Sequence, residues 1–297
     1  VEEALLFTDS LRGELDMVFQ FEHMRLDYGA GGKWDPLQMN LCDFKTITNR
    51  WQHSLADRGW NSLYLGNHDQ PRSVSRFGDD AEYRYESATL WATVMYLQRG
   101  TPFIFQGEEI GMTNAGFTSL DQYRDLESLA FYEYALRRGM DDENALAALG
   151  KASRDNARTP MQWDDSPYAG FSTDKPWIDV NPNYRSINVA ADRAAEKSVF
   201  RYYRRLIKLR HQSAVVALGE FEMLAPEDTR LFAFRRTLGG ESLGIICNVS
   251  GDMLPVPLSF RDPDMELVLG NYSDSGDREV LRPWEARVHD LRGVSAG

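Results

Sequence analysis

Apolar residues recur along the first 140 residues of the chain with two different periods. Short runs that are apolar throughout, or that alternate with polar residues, predict β-strands at 15–21, 60–66 and 102–106. Apolar residues spaced three and four apart predict amphipathic α-helices at 42–56, 83–98 and 126–138. Three strand–helix units in succession indicate parallel strands joined by right-handed crossover connections.

The pattern changes twice in the second half of the chain. Residues 151–189 are rich in Asn, Asp, Pro and aromatic residues, which is typical of long functional loops. After a predicted helix at 198–211, turns rich in Gly, Asp and Pro separate three short alternating apolar runs, at 231–234, 243–247 and 267–269. We therefore predict an α/β domain at 1–215 and a small all-β sandwich domain at 216–297.

Composition and charge narrow the class of protein. With 297 residues, of which 42% are hydrophobic and 26% charged, the chain resembles a globular protein with room for two domains. A net charge of −12 argues against a nucleic-acid partner, and no apolar run approaches the roughly 20 residues that cross a bilayer. Cys42 and Cys247 are predicted to be free thiols, which favours a reducing, cytoplasmic location. Because the chain begins with Val1 rather than Met, we expect sequence to be missing before it.

Polar and ionisable residues follow each of the three predicted strands. The first strand is followed by Glu22 and His23, the second by Asn67-His68-Asp69-Gln70, and the third by Gln106-Gly107-Glu108-Glu109. The carboxyl ends of parallel strands meet at one edge of a sheet or barrel, so we expect these side chains to share one rim. Each of them alone is equally compatible with a solvated loop residue, but the coincidence at three strand ends favours an active site.

Other kinds of chemistry fit such a rim less well than sugar binding. His23, His68 and Glu108 or Glu109 could ligate zinc, but the sequence has no HExxH motif and no paired Cys/His spacing, so no metal site is predicted. It also has no Gly-x-Ser-x-Gly nucleophile motif and no Gly-rich phosphate loop. Carboxylates beside arginines and aromatic residues suit a small oligosaccharide, whose hydroxyls bond to polar side chains while its rings stack on aromatic faces.

The order of the motifs identifies a family. The segment Asn67–Arg72 resembles the fourth conserved region of the α-amylase superfamily of glycoside hydrolases. Further segments resemble landmarks of its oligo-1,6-glucosidase and α-glucosidase branch: ELDMVFQFEHM, GGKWD, TPFIFQGEEIGMTN, YRDLES, SRDNARTPMQWDD, AGFS and PWIDVNPNYRSINV. The resemblance covers residues 10–215 densely and the predicted β domain loosely.

The resemblance implies a retaining glycosidase on a (β/α)₈ TIM barrel, of which this chain is expected to carry the C-terminal part, strands six to eight, and the trailing β domain. Retaining enzymes use a nucleophilic carboxylate and an acid/base carboxyl group. By resemblance, both are expected upstream of this chain, as is any calcium site, and no cofactor is expected. Asp69 matches a third essential carboxylate that binds hydroxyls of the −1 sugar, and His68 matches the adjacent imidazole that bonds the same sugar.

Other side chains carry over from the family one at a time. Arg154, with Arg158 as the alternative, matches an arginine that bonds the −1 sugar. Phe21 matches an aromatic wall at the +1 sugar, while Lys33 and Glu127 match a polar pair at the +1 hydroxyls; a packed ring or a local ion pair is the competing interpretation. Structural roles are expected for the remaining motif residues: ion pairing for Arg72, bonds to loop backbones for Gln106, Glu108 and Glu109, and packing for Trp163 and Trp177.

The resemblance leaves the substrate open. Neutral isomalto- or malto-oligosaccharides are favoured, and the preference between α-1,6 and α-1,4 bonds is not determined. Trehalose-6-phosphate hydrolases share most of the motifs, and Arg25 and Lys33 keep a phosphorylated substrate in play. Sucrose isomerases belong to the same branch, but an Arg-rich loop is expected there in place of RSVSRFGDD. An interpretation of another class is a catalytically inert carbohydrate-binding remnant. Oligomeric state is not predicted.

Overall fold

The computed structural model describes residues 1–274 and 277–291. Within them, the α-helices are α1 Glu2–Thr8, α2 Leu41–Ser54, α3 Ser73–Phe77, α4 Arg84–Tyr96, α5 Leu126–Arg137, α6 Asp142–Ala152, α7 Asp155–Arg158, α8 Val189–Ala194, α9 Val199–Gln212 and α10 Ala214–Leu218. The β-strands are β1 Tyr28–Gly29, β2 Gly32–Pro36, β3 Ser62–Leu63, β4 Thr101–Pro102, β5 Glu220–Leu224, β6 Leu231–Leu238, β7 Glu241–Asn248, β8 Leu254–Pro255, β9 Glu266–Gly270, β10 Val280–Leu281 and β11 Ala286–Asp290. No helix in this described part of the chain has both the length and the apolar character needed to cross a membrane.

The four helices predicted from apolar periodicity are confirmed as α2, α4, α5 and α9, each within two residues of its predicted ends. Helix α4 is buried on nearly all sides: Leu90 and Val94 are fully enclosed, as is Leu97 directly after the helix. It packs against α9 and against β7 and β11. A helix that is apolar around its whole circumference belongs in the interior, so α4 joins the helical region and the C-terminal sheet into one core.

Two predicted strands are present but short: β3 lies inside the predicted 60–66, whereas β4 overlaps the predicted 102–106 only at Pro102. β3 and β4 pair in parallel, with Ser62 opposite Thr101 and Leu63 opposite Pro102. Helices α3 and α4 lie between them in the sequence, as expected for a crossover connection. The carboxyl ends of both strands therefore point in the same direction, which places the loops that follow Leu63 and Pro102 at one edge.

The strand predicted at 15–21 is wrong, because no strand is assigned over those residues. The segment lies beside β3 but is tied to it through side chains rather than through a ladder of backbone amides. The carbonyl of Val18 accepts from Oγ of Ser62 at 2.7 Å, and the carbonyl of Gln20 accepts from the hydroxyl of Tyr64 at 2.5 Å. Those bonds satisfy the carbonyls that a strand would have paired with a neighbour.

In 220–274 and 277–291, the part of the C-terminal region that the structure describes, the regular elements are β-strands apart from one short 3₁₀ turn, as predicted. Five antiparallel strands form a sheet in the order β5-β6-β7-β11-β9, and β8 and β10 form a separate antiparallel pair. Alternate side chains divide between the two faces of the sheet. Phe232 and Phe234 join the core shared with the helices, whereas Leu231 and Ala233 pack with Leu281 of β10. The three predicted apolar runs lie within β6, β7 and β9.

Two buried cations tie this sheet to the helices that carry the loops at the strand ends. Nζ of Lys45, on α2, donates to three backbone carbonyls, those of Ala225, Asp228 and Leu231, at 2.8, 2.5 and 3.0 Å. Arg236, on β6, donates to the carbonyl of Leu97 at 2.7 Å, and burial lowers its pKa to about 9. The bonds to Leu231 and Leu97 satisfy carbonyls of buried residues, so they stabilise the contact between the two regions.

Candidate active site

Asp69 lies on the turn that follows β3. Its backbone N–H donates to Oδ1 of Asn67 at 2.8 Å, which fixes the turn. The half-exposed carboxylate accepts at Oδ1 from Nη1 of Arg154 (3.1 Å) and from Nη2 of Arg158 (3.0 Å). Nε2 of the exposed His68 lies 3.3 Å from Oδ2. Asp69 is therefore fixed on one oxygen by two arginines while part of its side chain remains open to solvent.

Arg154 is the centre of the ion-pair network around Asp69. Besides Asp69, it donates from Nε and Nη2 to the two carboxylate oxygens of Asp125, at 3.2 and 2.5 Å. Its Nε also lies 3.5 Å from Oε2 of Glu127. The bond to Asp125 is the main reason that the pKa of Arg154 is raised. One planar guanidinium thus connects three carboxylates from two separate segments, the turn after β3 and the start of α5.

Asp125 is a site residue that the sequence analysis missed. It is 5% exposed and lies directly before α5. Burial alone would raise its pKa, but the hydrogen bond from Arg154 and the charges of Arg154 and Arg158 outweigh burial, so its pKa is lowered. The signal was present in the YRDLES motif, where Asp125 stands two residues before Glu127. The family resemblance assigns a role to Glu127 but none to Asp125.

Lys33 and Glu127, predicted to act as a pair, are brought together. Nζ of Lys33, on β2, lies 2.6 Å from Oε2 of Glu127, in the first turn of α5. The hairpin of β1 and β2 holds Lys33 in place, and Trp34 beside it stacks on Phe131 of α5 with ring centroids 4.3 Å apart. Because Glu127 also approaches Arg154, this pair is continuous with the ion-pair network around Asp69.

A cleft of about 440 Å³ opens beside Asp69. Asp69, Lys33, Tyr28 and Arg76 contribute to its lining. The side chain of Arg76 is 5% exposed and makes a two-bond ion pair with Asp27, with both distances 2.6 Å, so this cation is already neutralised within the wall. The cleft is large enough for a small organic ligand and places Asp69 and Lys33 against it.

The catalytic-domain model of the alpha-amylase family matches residues 1–219. The chain belongs to the alpha-amylase family. An oligo-1,6-glucosidase of Parageobacillus thermoglucosidasius is 49% identical over 98% of this chain and 53% of its own length. A trehalose-6-phosphate hydrolase of Escherichia coli is 42% identical over 92% of this chain and 50% of its own length.

Solved structures agree with this assignment of the chain to the alpha-amylase family. The crystal structure of trehalose-6-phosphate hydrolase from Bacillus licheniformis matches with a TM-score of 0.92 at 35% identity, over 97% of this chain and 54% of that one. The fold is therefore that of the alpha-amylase family, in which a TIM barrel is followed by a C-terminal domain. The chain spans about half the length of the relatives it matches.

Two polar residues that follow the predicted strands, His23 and Glu108, do not reach the rim that carries His68 and Asp69. His23 is buried, donates from Nε2 to the carbonyl of Tyr64 at 3.0 Å, and has its pKa lowered to about 4 by burial. Glu108 is also buried, which raises its pKa to about 7. The expectation that these two side chains share a rim with His68 and Asp69 is therefore wrong. Burial removes both of them from contact with a ligand in the cleft.

The predicted backbone-binding role of the Gln106–Glu109 segment is confirmed for its two glutamates. Oε2 of Glu108 accepts from the hydroxyl of Tyr96 at 2.8 Å and from the backbone N–H of Phe105 at 3.3 Å. Oε2 of Glu109 accepts from the backbone N–H of Gly107 at 2.7 Å. The exposed Gln106 contributes its backbone carbonyl, which accepts from Nη1 of Arg72 at 2.6 Å.

Arg72 is an anchor of the rim, but not by ion pairing as predicted. Its guanidinium donates to the backbone carbonyls of Gln106, Asn156 and Ala157, at 2.6, 3.2 and 3.4 Å. Burial lowers its pKa to about 10. A guanidinium can satisfy several carbonyls at once, and here it fastens the loop after β4 to helix α7. Arg72 thereby supports Arg154, which directly precedes that short helix, and Arg158, which is its last residue.

The prediction that Trp163 and Trp177 are packed beneath the loops is wrong. Their exposed fractions are 50% and 63%. The long loop is fixed by backbone groups of the same residues instead. The N–H of Trp163 donates to the carbonyl of Ala169 at 2.8 Å, and the carbonyl of Trp177 accepts from Nε of Arg124 at 3.1 Å.

Phe21 lies with the aromatic residues at the side of β3. It is 49% exposed, and its ring centroid is 6.0 Å from that of Tyr64. It does not belong to the residues that line the cleft beside Asp69. Both cysteines are free thiols, with Cys247 buried. In residues 1–274 and 277–291, no group of three His, Cys, Asp or Glu side chains is arranged to hold a metal ion.

Proposed function

We propose that this chain forms part of a retaining α-glucosidase of the oligo-1,6-glucosidase type. Such an enzyme hydrolyses terminal α-glucosidic bonds of short oligosaccharides such as isomaltose or maltose. The observation that carries the proposal is the position of Asp69, which lines a ligand-sized cleft while Arg154 and Arg158 hold one of its oxygens. A carboxylate fixed in this way is oriented for the hydroxyls of a sugar.

In this proposal Asp69 orients and stabilises the −1 sugar and does not attack it. Retaining glycosidases need two carboxyl groups about 5 to 5.5 Å apart, both free to react. Asp125, the carboxylate that shares Arg154 with Asp69, is buried and takes two hydrogen bonds from that arginine. It is therefore unsuited to attack or to proton transfer. We place the nucleophile and the acid/base outside these 297 residues.

The remaining predicted ligands are assigned to the two sugars that flank the scissile bond. His68, exposed beside Asp69, and Arg154 would bond the −1 sugar. The Lys33–Glu127 pair would bond hydroxyls of the +1 sugar, because Lys33 lines the cleft. Phe21 would provide an aromatic face for the same sugar, and its half-exposed ring is compatible with stacking.

The alternative substrate, trehalose-6-phosphate, requires a free cationic site. The two cations proposed for it do not provide one. Lys33 is paired with Glu127 at 2.6 Å, and Arg25, although exposed, does not belong to the residues that line the cleft. Lys151 also lines the cleft, so the preference for a neutral oligosaccharide rests on the sequence motifs; trehalose-6-phosphate hydrolases are among the relatives.

The proposed organisation follows from the family fold. Residues 1–215 would be the C-terminal portion of a (β/α)₈ barrel and 216–297 a β-sandwich domain. In support of a sandwich, β8 and β10 pack on the face of the five-stranded sheet that lies away from the helices. We propose a cytoplasmic enzyme without a cofactor or a nucleic-acid partner. Any calcium site would lie outside this chain.

The test compares glucose release from isomaltose, maltose and trehalose-6-phosphate by the natural gene product that carries this chain, before and after Asp69→Asn. We expect turnover of a neutral disaccharide that Asp69→Asn reduces by several orders of magnitude, with Asp43→Asn, an exposed substitution on α2, as the matched control. A preference for trehalose-6-phosphate would select the alternative substrate, and inactivity on all three would favour the inert remnant. Turnover by the 297-residue chain alone would overturn the placement of the catalytic pair.

A further inference from the structure

The turn before α5 and the turn before α7 are hydrogen-bonded to each other. Oδ2 of Asp155 accepts from the backbone N–H groups of Arg124 and Asp125, at 2.7 and 2.9 Å. The hydroxyls of Ser128 and Ser153 lie 2.7 Å apart and are both buried. The turn before α5 is thereby fixed against the turn that carries Arg154.

Asp125 links the same two turns a second time, through its side chain. Asp155 holds the backbone on which Asp125 sits, and Asp125 in turn holds the side chain of Arg154, the residue directly before Asp155. Nε and Nη2 of Arg154 are occupied by the two oxygens of Asp125, while Nη1 is directed at Oδ1 of Asp69. Because the guanidinium is planar and rigid, fixing two of its nitrogens fixes the direction of the third.

Asp125 stands where a helix N-cap would stand, but its side chain does not perform that function. Its carboxylate accepts no hydrogen bond from the backbone N–H groups of the first turn of α5. The two oxygens are used for Arg154, and Oδ2 also accepts from Oγ of Ser128 at 3.3 Å. Asp141, before α6, provides a direct contrast, since its Oδ1 accepts from the backbone N–H of Asn144 at 2.8 Å. Asp141 caps a helix, whereas Asp125 orients an arginine.

We propose that Asp125 is a positioning residue that sets the direction of Arg154 and thereby the orientation of Asp69 toward the −1 sugar. This inference rests on the proposed glycosidase function. Asp125 would not touch the substrate, because it is enclosed behind Arg154. Loss of its charge would leave Arg154 free to turn away from Asp69, and displacement of catalytic groups by about 1 Å can reduce the rate about 100-fold.

The decisive experiment measures kcat and KM of the natural gene product for isomaltose after Asp125→Asn, with Asp141→Asn as the matched control. We expect kcat to fall about 10- to 100-fold with KM within a factor of about three, and the control to retain wild-type kinetics. In a double-mutant cycle, Asp125→Asn should cost little further activity once Arg154→Lys is present. Near-wild-type kcat after Asp125→Asn, or full additivity with Arg154→Lys, would overturn the proposal.

A second variant covers the case in which Asp125→Asn does not fold, as judged by near-ultraviolet circular dichroism. Asp125→Glu keeps the charge but moves the carboxylate by one methylene, so the positioning role predicts a clear loss of kcat in a folded protein. Wild-type activity of Asp125→Glu would contradict it. Asp69→Asn, measured in parallel, separates the two hypotheses. If Asp69→Asn leaves activity intact, the proposed function fails. If Asp69→Asn abolishes activity but the Asp125 variants do not reduce it, only the role of Asp125 is refuted.

Discussion

Asp69 and Arg154 are 85 residues apart in the sequence, yet Nη1 of Arg154 donates to Oδ1 of Asp69 at 3.1 Å. Nη2 of Arg158 donates to the same oxygen at 3.0 Å, so the two arginines make the same kind of bond to Asp69. They differ in their second partner. Arg154 makes two bonds to the buried Asp125, whereas Nη1 of Arg158 lies 3.6 Å from one of its oxygens. The direction of Arg154 is therefore the more tightly determined.

Because the two arginines differ in their bonds to Asp125, substitution by lysine should reduce kcat by different factors at the two positions. Arg154→Lys should reduce kcat for isomaltose about 100-fold, because a single ammonium group cannot bond both oxygens of Asp125 and also reach Asp69. Arg158→Lys should reduce it by about tenfold or less, since Arg154 still holds Asp69. Steady-state kinetics of the two variants, with circular dichroism as the folding check, measure the difference. Equal losses would show that the two arginines are interchangeable.

Much of the fold was predictable because apolar periodicity is a local property. The apolar residues Phe44, Trp51 and Leu55, on α2 and directly after it, are buried on one face, and the sequence carries that spacing directly. The direction of β3 and β4 was also predictable, because a helix between two strands implies a parallel pair. The predicted ligands Asp69 and Arg154 meet because the family motif placed them in the same site.

The wrong or missing predictions concern polar groups whose bonding partners are set by the tertiary structure. The 15–21 segment has the composition of a strand, but Ser62 and Tyr64 bond its carbonyls through their side chains. His23 and Glu108 stand at strand ends, yet the core closes over both. Asp125 was overlooked because its charge matters only through Arg154, which is 29 residues away. Such pairings are set by tertiary structure and leave no local period.

The Lys33–Glu127 pair predicts a selective effect on the leaving sugar. Lys33→Met would leave Glu127 with Arg154 as its nearest cation, at 3.5 Å, and would remove a donor from the cleft. KM for isomaltose should rise about tenfold, while hydrolysis of p-nitrophenyl α-glucoside, which lacks the second sugar, should change little. Lys175→Met provides the control, because Lys175 forms a similar ion pair with Asp179 at 3.4 Å but is exposed. An equal loss on both substrates would contradict a role at the +1 sugar.

Glu108 predicts a pH dependence of stability. Its pKa is raised by burial from 4.5 to about 7, so between these values the folded protein binds more protons than the unfolded chain. The contribution of Glu108 to the free energy of unfolding is therefore present at low pH and is lost as the pH rises from about 4.5 to 7. Relative to Glu108→Gln, the wild-type protein should lose on the order of 2–3 kcal/mol across this interval.

Comparing the two proteins at each pH isolates Glu108 from His23 and His289. Burial lowers the pKa of both histidines to about 4, so their contribution has the opposite sign and rises with pH between about 4 and 6.5. Melting temperatures of wild type and Glu108→Gln at pH 5 and pH 7.5 provide the measurement, with Glu109→Gln as the control. A difference between wild type and Glu108→Gln that is independent of pH would exclude titration of Glu108.

The last prediction concerns the contact between the helical region and the C-terminal sheet. Lys45→Met keeps the length of the side chain but removes the donor to the carbonyls of Ala225, Asp228 and Leu231. Leaving the buried carbonyl of Leu231 without its donor should lower the free energy of unfolding by about 1–3 kcal/mol. Lys208→Met, an exposed substitution on α9, is the matched control and should leave stability unchanged. Hydrogen–deuterium exchange locates the effect: amides in 225–231 should exchange faster in Lys45→Met, and unchanged exchange there would show that the three bonds do not hold the sheet in place.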